Sequence, residues 1–305
     1  MKFRLVVMVT ALAAALASAE KLAIPVGLDA YLPVPDHNPL TREKVELGKK
    51  LFFDTRLSRD QTVSCATCHI PESAFTDERP VGVGIAGRKG RRRVPRIVNR
   101  GYGKSFFWDG RAATLEEQVL KPIQDPNEMD LTLPEAAART GLSVEAVQQS
   151  LASYVRTILS GDSPYDRYLL GDPAALAPQQ RLGLRLFTGK AGCASCHIGP
   201  NLTDERFHNT GIGWPNDPGR FAVTGREPDR GAFKTPGLRE VARTPPYMHD
   251  GSIRTLEEVI DFYDKGGKPN PAFDPEVREL RLTAGEKAAL AAFLKALNGT
   301  LRDGM

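Results

Sequence analysis

The sequence predicts a mainly α fold built twice over, as two tandem helical domains of one layout. Three observations lead there. Apolar residues recur at helical spacing near the close of each half, at Leu151, Tyr154, Val155 and Ile158 and again at Leu290, Phe293, Leu294 and Leu297, while strand signals are sparse. Blocks of the first half return in the second in the same order. Each half also carries a Cys-x-x-Cys-His stretch, Cys65-Ala66-Thr67-Cys68-His69 and Cys193-Ala194-Ser195-Cys196-His197.

The chain opens with Lys2 and Arg4, an apolar run from Leu5 to Leu16, and Ala17-Ser18-Ala19, the small-x-small form that signal peptidase cuts. Residues 1–19 are therefore expected to be a signal peptide, with a mature protein exported to the periplasm and beginning near Glu20. The run is too short to span a membrane, and no cysteine at the cleavage point offers a lipid anchor. The remainder, about 285 residues, suits two domains of ordinary size. A formal charge of +4 points to no nucleic-acid partner. The one basic cluster, Arg88-Lys89-Gly90-Arg91-Arg92-Arg93, lies in a glycine-rich loop, either solvated or partnering acidic groups.

Element by element, the halves align without any other sequence. Leu47-Gly48-Lys49-Lys50-Leu51-Phe52 returns as Leu182-Gly183-Leu184-Arg185-Leu186-Phe187, an opening helix ahead of each cysteine pair. Thr76-Asp77-Glu78-Arg79 returns as Thr203-Asp204-Glu205-Arg206 after it. Pro95 and Pro236 stand equally far ahead of Asp109-Gly110 and Asp250-Gly251. Thr114-Leu115-Glu116-Glu117 and Thr255-Leu256-Glu257-Glu258 then start a helix, with a threonine placed to cap it and glutamates in the first turn, where the helix dipole favours negative charge. Between Ser163-Pro164 and Pro178, helix-breaking glycines and prolines place the boundary, giving expected domains at 20–170 and 171–305.

Two thiols two residues apart, followed at once by histidine, can each add to a haem vinyl group and then give the iron an axial imidazole. The two copies, Cys65, Cys68 and His69 and then Cys193, Cys196 and His197, use all 4 cysteines, leaving none for a disulfide or a redox thiol. Zinc binding and disulfides are the rival readings, and neither accounts for a histidine after both pairs. Each half thus has the layout of a c-type cytochrome domain with one covalent haem c. Bacteria attach such haems outside the cytoplasm, which agrees with export.

In such a domain a residue late in the sequence takes the second face of the iron. Counting forward from the Asp-Gly pairs, Tyr263 in the second half falls where the first half has Pro122. Tyrosinate is a ligand of ferric haem and proline has no ligating side chain, so the second iron is expected to be closed and the first open. Met248 or His249 are the alternatives to Tyr263. An open ferric haem binds peroxide, and O–O cleavage needs a base to take one proton and return it to the leaving oxygen. Gln118, where the twin has Val259, and Glu128 are the first half's candidates for that work.

These residues resemble the bacterial di-haem cytochrome c peroxidase family, including its quinone-maturing MauG branch. The resemblance spans nearly the whole expected mature chain; Phe107-Trp108-Asp109-Gly110-Arg111-Ala112-Ala113 through Gln118, Pro122 and Glu128-Met129 is close to a family signature, and Phe233-Lys234-Thr235-Pro236, Thr244-Pro245-Pro246-Tyr247 and Tyr263 belong to the second domain. It implies that Trp108 relays electrons between the haems, that Gln118 orients peroxide, that Glu128 is the acid/base, and that Lys234 is a cation near the haems. It also implies three departures. No histidine lies between His69 and Trp108 to block the first iron, Tyr263 stands where typical peroxidases have methionine, and Arg93 stands where the family has a calcium-binding asparagine. Thr244 and Pro246 match the carbonyl ligands of that calcium, but a cation at Arg93 argues against the metal.

The expected function is a periplasmic peroxidase that reduces hydrogen peroxide to water with electrons from a small redox protein, a cytochrome c or a cupredoxin. A MauG-like oxidase modifying a partner protein is the alternative. It needs an aromatic route to the surface, and here Ala191 stands two residues before Cys193 and Trp214 is the sole tryptophan of the second half. A plain di-haem electron carrier would need neither an open iron nor Gln118 and Glu128. The sequence leaves a homodimer open.

Overall fold

The structure, a computed structural model, describes residues 22–305, so the expected signal peptide lies outside it. The fold is mainly α, with short helices joined by long irregular segments and only two small antiparallel strand pairs among the described residues. No helix among those residues is long and apolar enough to cross a membrane.

Each half is built on an opening helix packed against a closing one: Arg42–Phe52 against Val144–Arg156, and Pro178–Thr188 against Ala284–Lys295. The backbones approach so closely that a Cβ on Gly48 would stand 1.9 Å from the Ser150 carbonyl oxygen, and one on Gly183 would stand 2.0 Å from that of Ala289. Glycine is therefore required at both crossings, which explains why the Leu-Gly-x-x-Leu-Phe block occurs twice. The closing phenylalanines Phe52 and Phe187 are 2% and 3% exposed. Phe52 packs on Tyr154 and Phe187 on Phe293, each with centroids 5.2 Å apart. Burying such a ring contributes about 1.5–3 kcal/mol.

Two apolar clusters result, one running from Val45 to Ile158 and the other from Leu186 to Leu297. They are laced across. The helix Pro164–Leu169 packs Tyr165 edge-on against Phe293 of the second cluster. In return the chain end pairs Thr300–Arg302 with Leu159–Gly161, and Leu301 and Met305 pack on the first cluster. Asp303 accepts from the Tyr154 hydroxyl at 2.8 Å and pairs with Lys49 at 2.7 Å.

The middle helices, Leu115–Gln124 and Leu256–Asp264, are capped as the repeat implies. Thr114 Oγ1 accepts from the Glu117 amide at 3.0 Å and Thr255 Oγ1 from that of Glu258 at 3.1 Å. The repeat reaches into the loops as well: Asn99 and Glu240, and Phe107 and Met248, are twins that all hold positive φ.

Candidate active site

Both histidines of the Cys-x-x-Cys-His motifs are oriented by one device. His69 Nδ1 donates to the Phe75 carbonyl at 3.1 Å and His197 Nδ1 to that of Leu202 at 2.9 Å, which leaves Nε2 of each ring as the free electron-pair donor. Phe75 and Leu202 aim their carbonyls by adopting φ of 55° and 54°, a left-handed conformation unusual for such residues. The threonine opening each Thr-Asp-Glu-Arg repeat fixes the next residue: Thr76 Oγ1 donates to the Val94 carbonyl at 2.7 Å and Thr203 Oγ1 to that of Thr235 at 2.6 Å. Phe52 and Phe187 back the rings at 6.4 Å. Burial pushes His69 down to about 4 and lowers His197 as well, so both imidazoles are neutral near pH 7, as metal ligation requires. The cysteines are unpaired.

A cavity of about 1060 Å³ opens beside Cys65, Cys68 and His69 and runs to the junction of the halves. Gln118 and Pro122, one turn apart on the helix Leu115–Gln124, face it with Met129 and Glu128. His37, the other histidine of the first half, does not line it. Burial, with the Asp125 carboxylate adding to it, pushes the Glu128 carboxyl up to about 7 against the opposing pull of Arg111. A carboxyl there exchanges protons readily near neutral pH. Glu128 also lines a surface recess of about 300 Å³ with Phe107, Arg111, Lys121, Gln124 and Asp125. Arg111 lies over the Phe107 ring at 3.6 Å.

In the second half Tyr263 lies on the helix Leu256–Asp264, edge-on to Phe262 at 5.2 Å. Its phenol is raised by burial and by the nearby Cys193 and Cys196 sulfurs, which puts the hydroxyl beside the second motif. Met248 and His249 instead line the cavity next to the first motif. His249 stacks on Phe233 at 3.4 Å and meets the Trp108 ring edge-on at 6.4 Å. Trp108 and His249 are twins in the repeat, so the pseudo-symmetric halves touch through corresponding rings.

Around that contact lies an excess of buried positive charge. Arg100 binds Glu205 at 2.5 Å and Lys234 stands 3.7 Å from the same carboxylate, whose pKa they hold at about 2 although burial opposes them. Lys234 also donates to the Ser105 carbonyl at 2.5 Å, and burial with the neighbouring Arg100 pushes it down to about 7. Arg96, pushed to about 10 by burial, has the Thr244 hydroxyl and the Gly237 carbonyl as partners and no carboxylate. Cations short of counter-charge along a cavity that begins at a Cys-x-x-Cys-His motif fit a haem, whose propionates are anionic. Calcium does not fit. Of the two expected carbonyl ligands, the Arg93 guanidinium occupies that of Thr244, at 3.1 Å, together with the Pro245 carbonyl at 3.1 Å rather than that of Pro246, which sets a positive charge against one of the oxygens the metal would need.

Several of these residues were not singled out from the sequence. Arg96, Arg100 and Glu205 sit in loops without periodicity, although Glu205 belongs to the repeated tetrapeptide. His208 is clasped between Asp274 at 2.6 Å and Asp204 at 3.0 Å, beside Cys196. Its only sequence signal is that same tetrapeptide.

Comparison with known proteins agrees with this geometry. The family model of the di-haem cytochrome c peroxidases matches residues 42–143. The methylamine utilization protein MauG of Methylorubrum extorquens is 43% identical, over 87% of this chain and 81% of its own. Cytochrome c551 peroxidase of Pseudomonas aeruginosa is 37% identical, over 75% and 76%. The crystal structure of a MauG-like protein associated with microbial copper homeostasis superposes with a TM-score of 0.81 at 38% identity, over 91% of this chain and 96% of that one. The chain is an oxidoreductase and belongs to the di-haem cytochrome c peroxidase family, the family to which MauG is also related.

Proposed function

We propose that the protein is a periplasmic peroxidase made of two cytochrome c domains, residues 20–170 and 171–305, each carrying one covalent haem c. Hydrogen peroxide is reduced to two waters in the first half with two electrons and two protons, the electrons coming from a small cytochrome c or cupredoxin. The observation that carries this reading is the cavity at the first motif, which Gln118, Pro122 and Glu128 line; of the histidines that share it, His69 belongs to the motif and His249 is stacked on Phe233 at 3.4 Å. When bound there, haem supplies the iron that takes up peroxide and the electrons that break its O–O bond.

The rest is work for the chain. His69 and His197 would hold the iron of each haem by the free Nε2, and Tyr263 would be the further ligand in the C-terminal half. Glu128 takes the proton from the bound peroxide oxygen and returns it to the departing one, which leaves as water. Gln118, one turn from Pro122, orients the peroxide. Trp108 would carry electrons between the halves, and Lys234 and Arg96 would hold haem propionates.

Tyr263, with the likeness to MauG and to a MauG-like structure, supports a second reading in which the electrons come from an aromatic side chain of a partner protein. Against it, Ala191 before the second motif is 6% exposed and offers no aromatic stepping stone.

Electron paramagnetic resonance of the oxidised protein tests the first step. One high-spin and one low-spin signal, with immediate reaction of the fully ferric protein with peroxide, is the expected result. Two low-spin signals and no reaction before an electron is added would sink it. Steady-state turnover with peroxide and a reduced cytochrome c or cupredoxin then separates the readings, because a protein-modifying oxidase would not sustain it.

A further inference from the structure

Arg93 is 5% exposed, yet no carboxylate touches its guanidinium. The acceptors are backbone carbonyls: Val94 and Asp77 in the first half at 3.1 and 3.0 Å, Thr244 and Pro245 in the second at 3.1 Å each. The Asp77 carboxylate offsets its charge only from a distance, so a charge whose hydrogen bonds all go to carbonyls is costly to bury and hard to move, since any displacement strands it. The residue's own backbone is committed as well. Its amide donates to the His249 carbonyl at 2.7 Å, and its carbonyl accepts from Trp108 Nε1 at 2.8 Å. One residue therefore spans the two halves with its side chain and holds, with its main chain, the two residues whose rings meet between them.

We propose that Arg93 is a positioning residue for electron transfer between the halves, fixing the Trp108 ring against His249 with a charge built into the chain, so that this alignment needs no divalent cation. The proposal rests on the reading of Trp108 as the electron route. A guanidinium suits the task because its planar fork reaches several carbonyls at once, whereas an ammonium is a single point charge. It also predicts a latent property. Removing the guanidinium would leave the Thr244, Pro245 and Asp77 carbonyls converging on a space suited to an oxygen-loving cation such as calcium.

The test uses the holoprotein with both haems and compares Arg93→Gln, Arg93→Lys and Trp108→Phe. Ultraviolet resonance Raman reads the tryptophan band sensitive to indole hydrogen bonding, with Trp214→Phe as the background for all. Flash photolysis of the half-reduced, carbon monoxide-bound protein reads the inter-haem rate. In the parent, both are expected to be unchanged by EDTA or added calcium. Arg93→Gln should weaken the Trp108 hydrogen bond and slow transfer at least tenfold, Arg93→Lys should recover part of both, and calcium should restore part of the loss in Arg93→Gln. If Arg93→Gln does not fold, Arg93→Lys must still show the smaller loss in both. Parent-like values in a folded Arg93 variant, or an EDTA-sensitive parent, overturn the proposal. Parent-rate transfer in Trp108→Phe instead overturns the electron-route reading, while the Raman band still decides whether Arg93 holds the indole.

Discussion

The two halves share a scaffold down to the glycine at the helix crossing, the phenylalanine behind the histidine and the left-handed residue that aims the histidine's partner. They diverge on one helix face. Where the helix Leu115–Gln124 presents Gln118 and Pro122, its twin Leu256–Asp264 presents Val259 and Tyr263. A proline cannot ligate and a phenol can, so in the proposed reading one face is left for substrate and the other is filled. The difference teaches that the motif for attaching a haem is a property of the repeat, while the side chains proposed to set its reactivity lie outside the repeated blocks.

The sharpest way to break this comparison is to remove the feature with no counterpart in the second half. Glu128→Gln keeps the shape of the side chain and cannot accept a proton. Peroxide cleavage, followed by stopped-flow absorbance, is expected to slow about a hundredfold or more, the usual size for a positioned acid/base. A parent-like rate would show that Glu128 is not the base.

The pH profile sharpens the same point. With its carboxyl pushed up to about 7, Glu128 is the proton-accepting carboxylate above that pH and the neutral acid below it. The rate constant for the peroxide reaction should therefore fall about tenfold per pH unit below 7 and level off above it, and the slope should vanish in Glu128→Gln. A flat profile in the parent would assign the proton transfer elsewhere.

Gly48→Ala and Gly183→Ala ask whether the halves are equivalent as scaffolds. Each methyl would meet a backbone carbonyl of the closing helix, at 1.9 and 2.0 Å, and forcing the helices apart should cost about 1–3 kcal/mol in either half. Thermal unfolding followed at the haem absorbance would read this, and an unchanged melting temperature in either variant would show that the crossing is looser than described.

The mildest change makes the halves differ less by altering only the filled site. If Tyr263 ligates as proposed, Tyr263→Met replaces a tyrosinate oxygen with a neutral thioether and should raise the potential of the second haem, read by spectroelectrochemical titration, while the peroxide reaction of the first half persists. An unmoved potential would hand the ligand position to another residue.

How much was legible in the sequence follows from what kind of contact each feature needs. The mainly α class, the duplication, the two Cys-x-x-Cys-His motifs and the threonine caps rest on residues close together in the chain, so spacing alone carried them. Gln118, Pro122 and Glu128 could be picked out because the second half supplied a control for the first. The backward lacing of Thr300–Arg302 onto Leu159–Gly161, the cations Arg96, Arg100 and Lys234 gathered along one cavity, and the meeting of Trp108 with His249 all join residues far apart in sequence through irregular segments, where no periodicity announces a neighbour. Arg93 shows the boundary most clearly. As part of a basic loop its charge reads as solvated surface, and the resemblance set it near Thr244 as an obstacle to calcium, but only the packing of one half on the other shows that charge turned inward onto carbonyls of both.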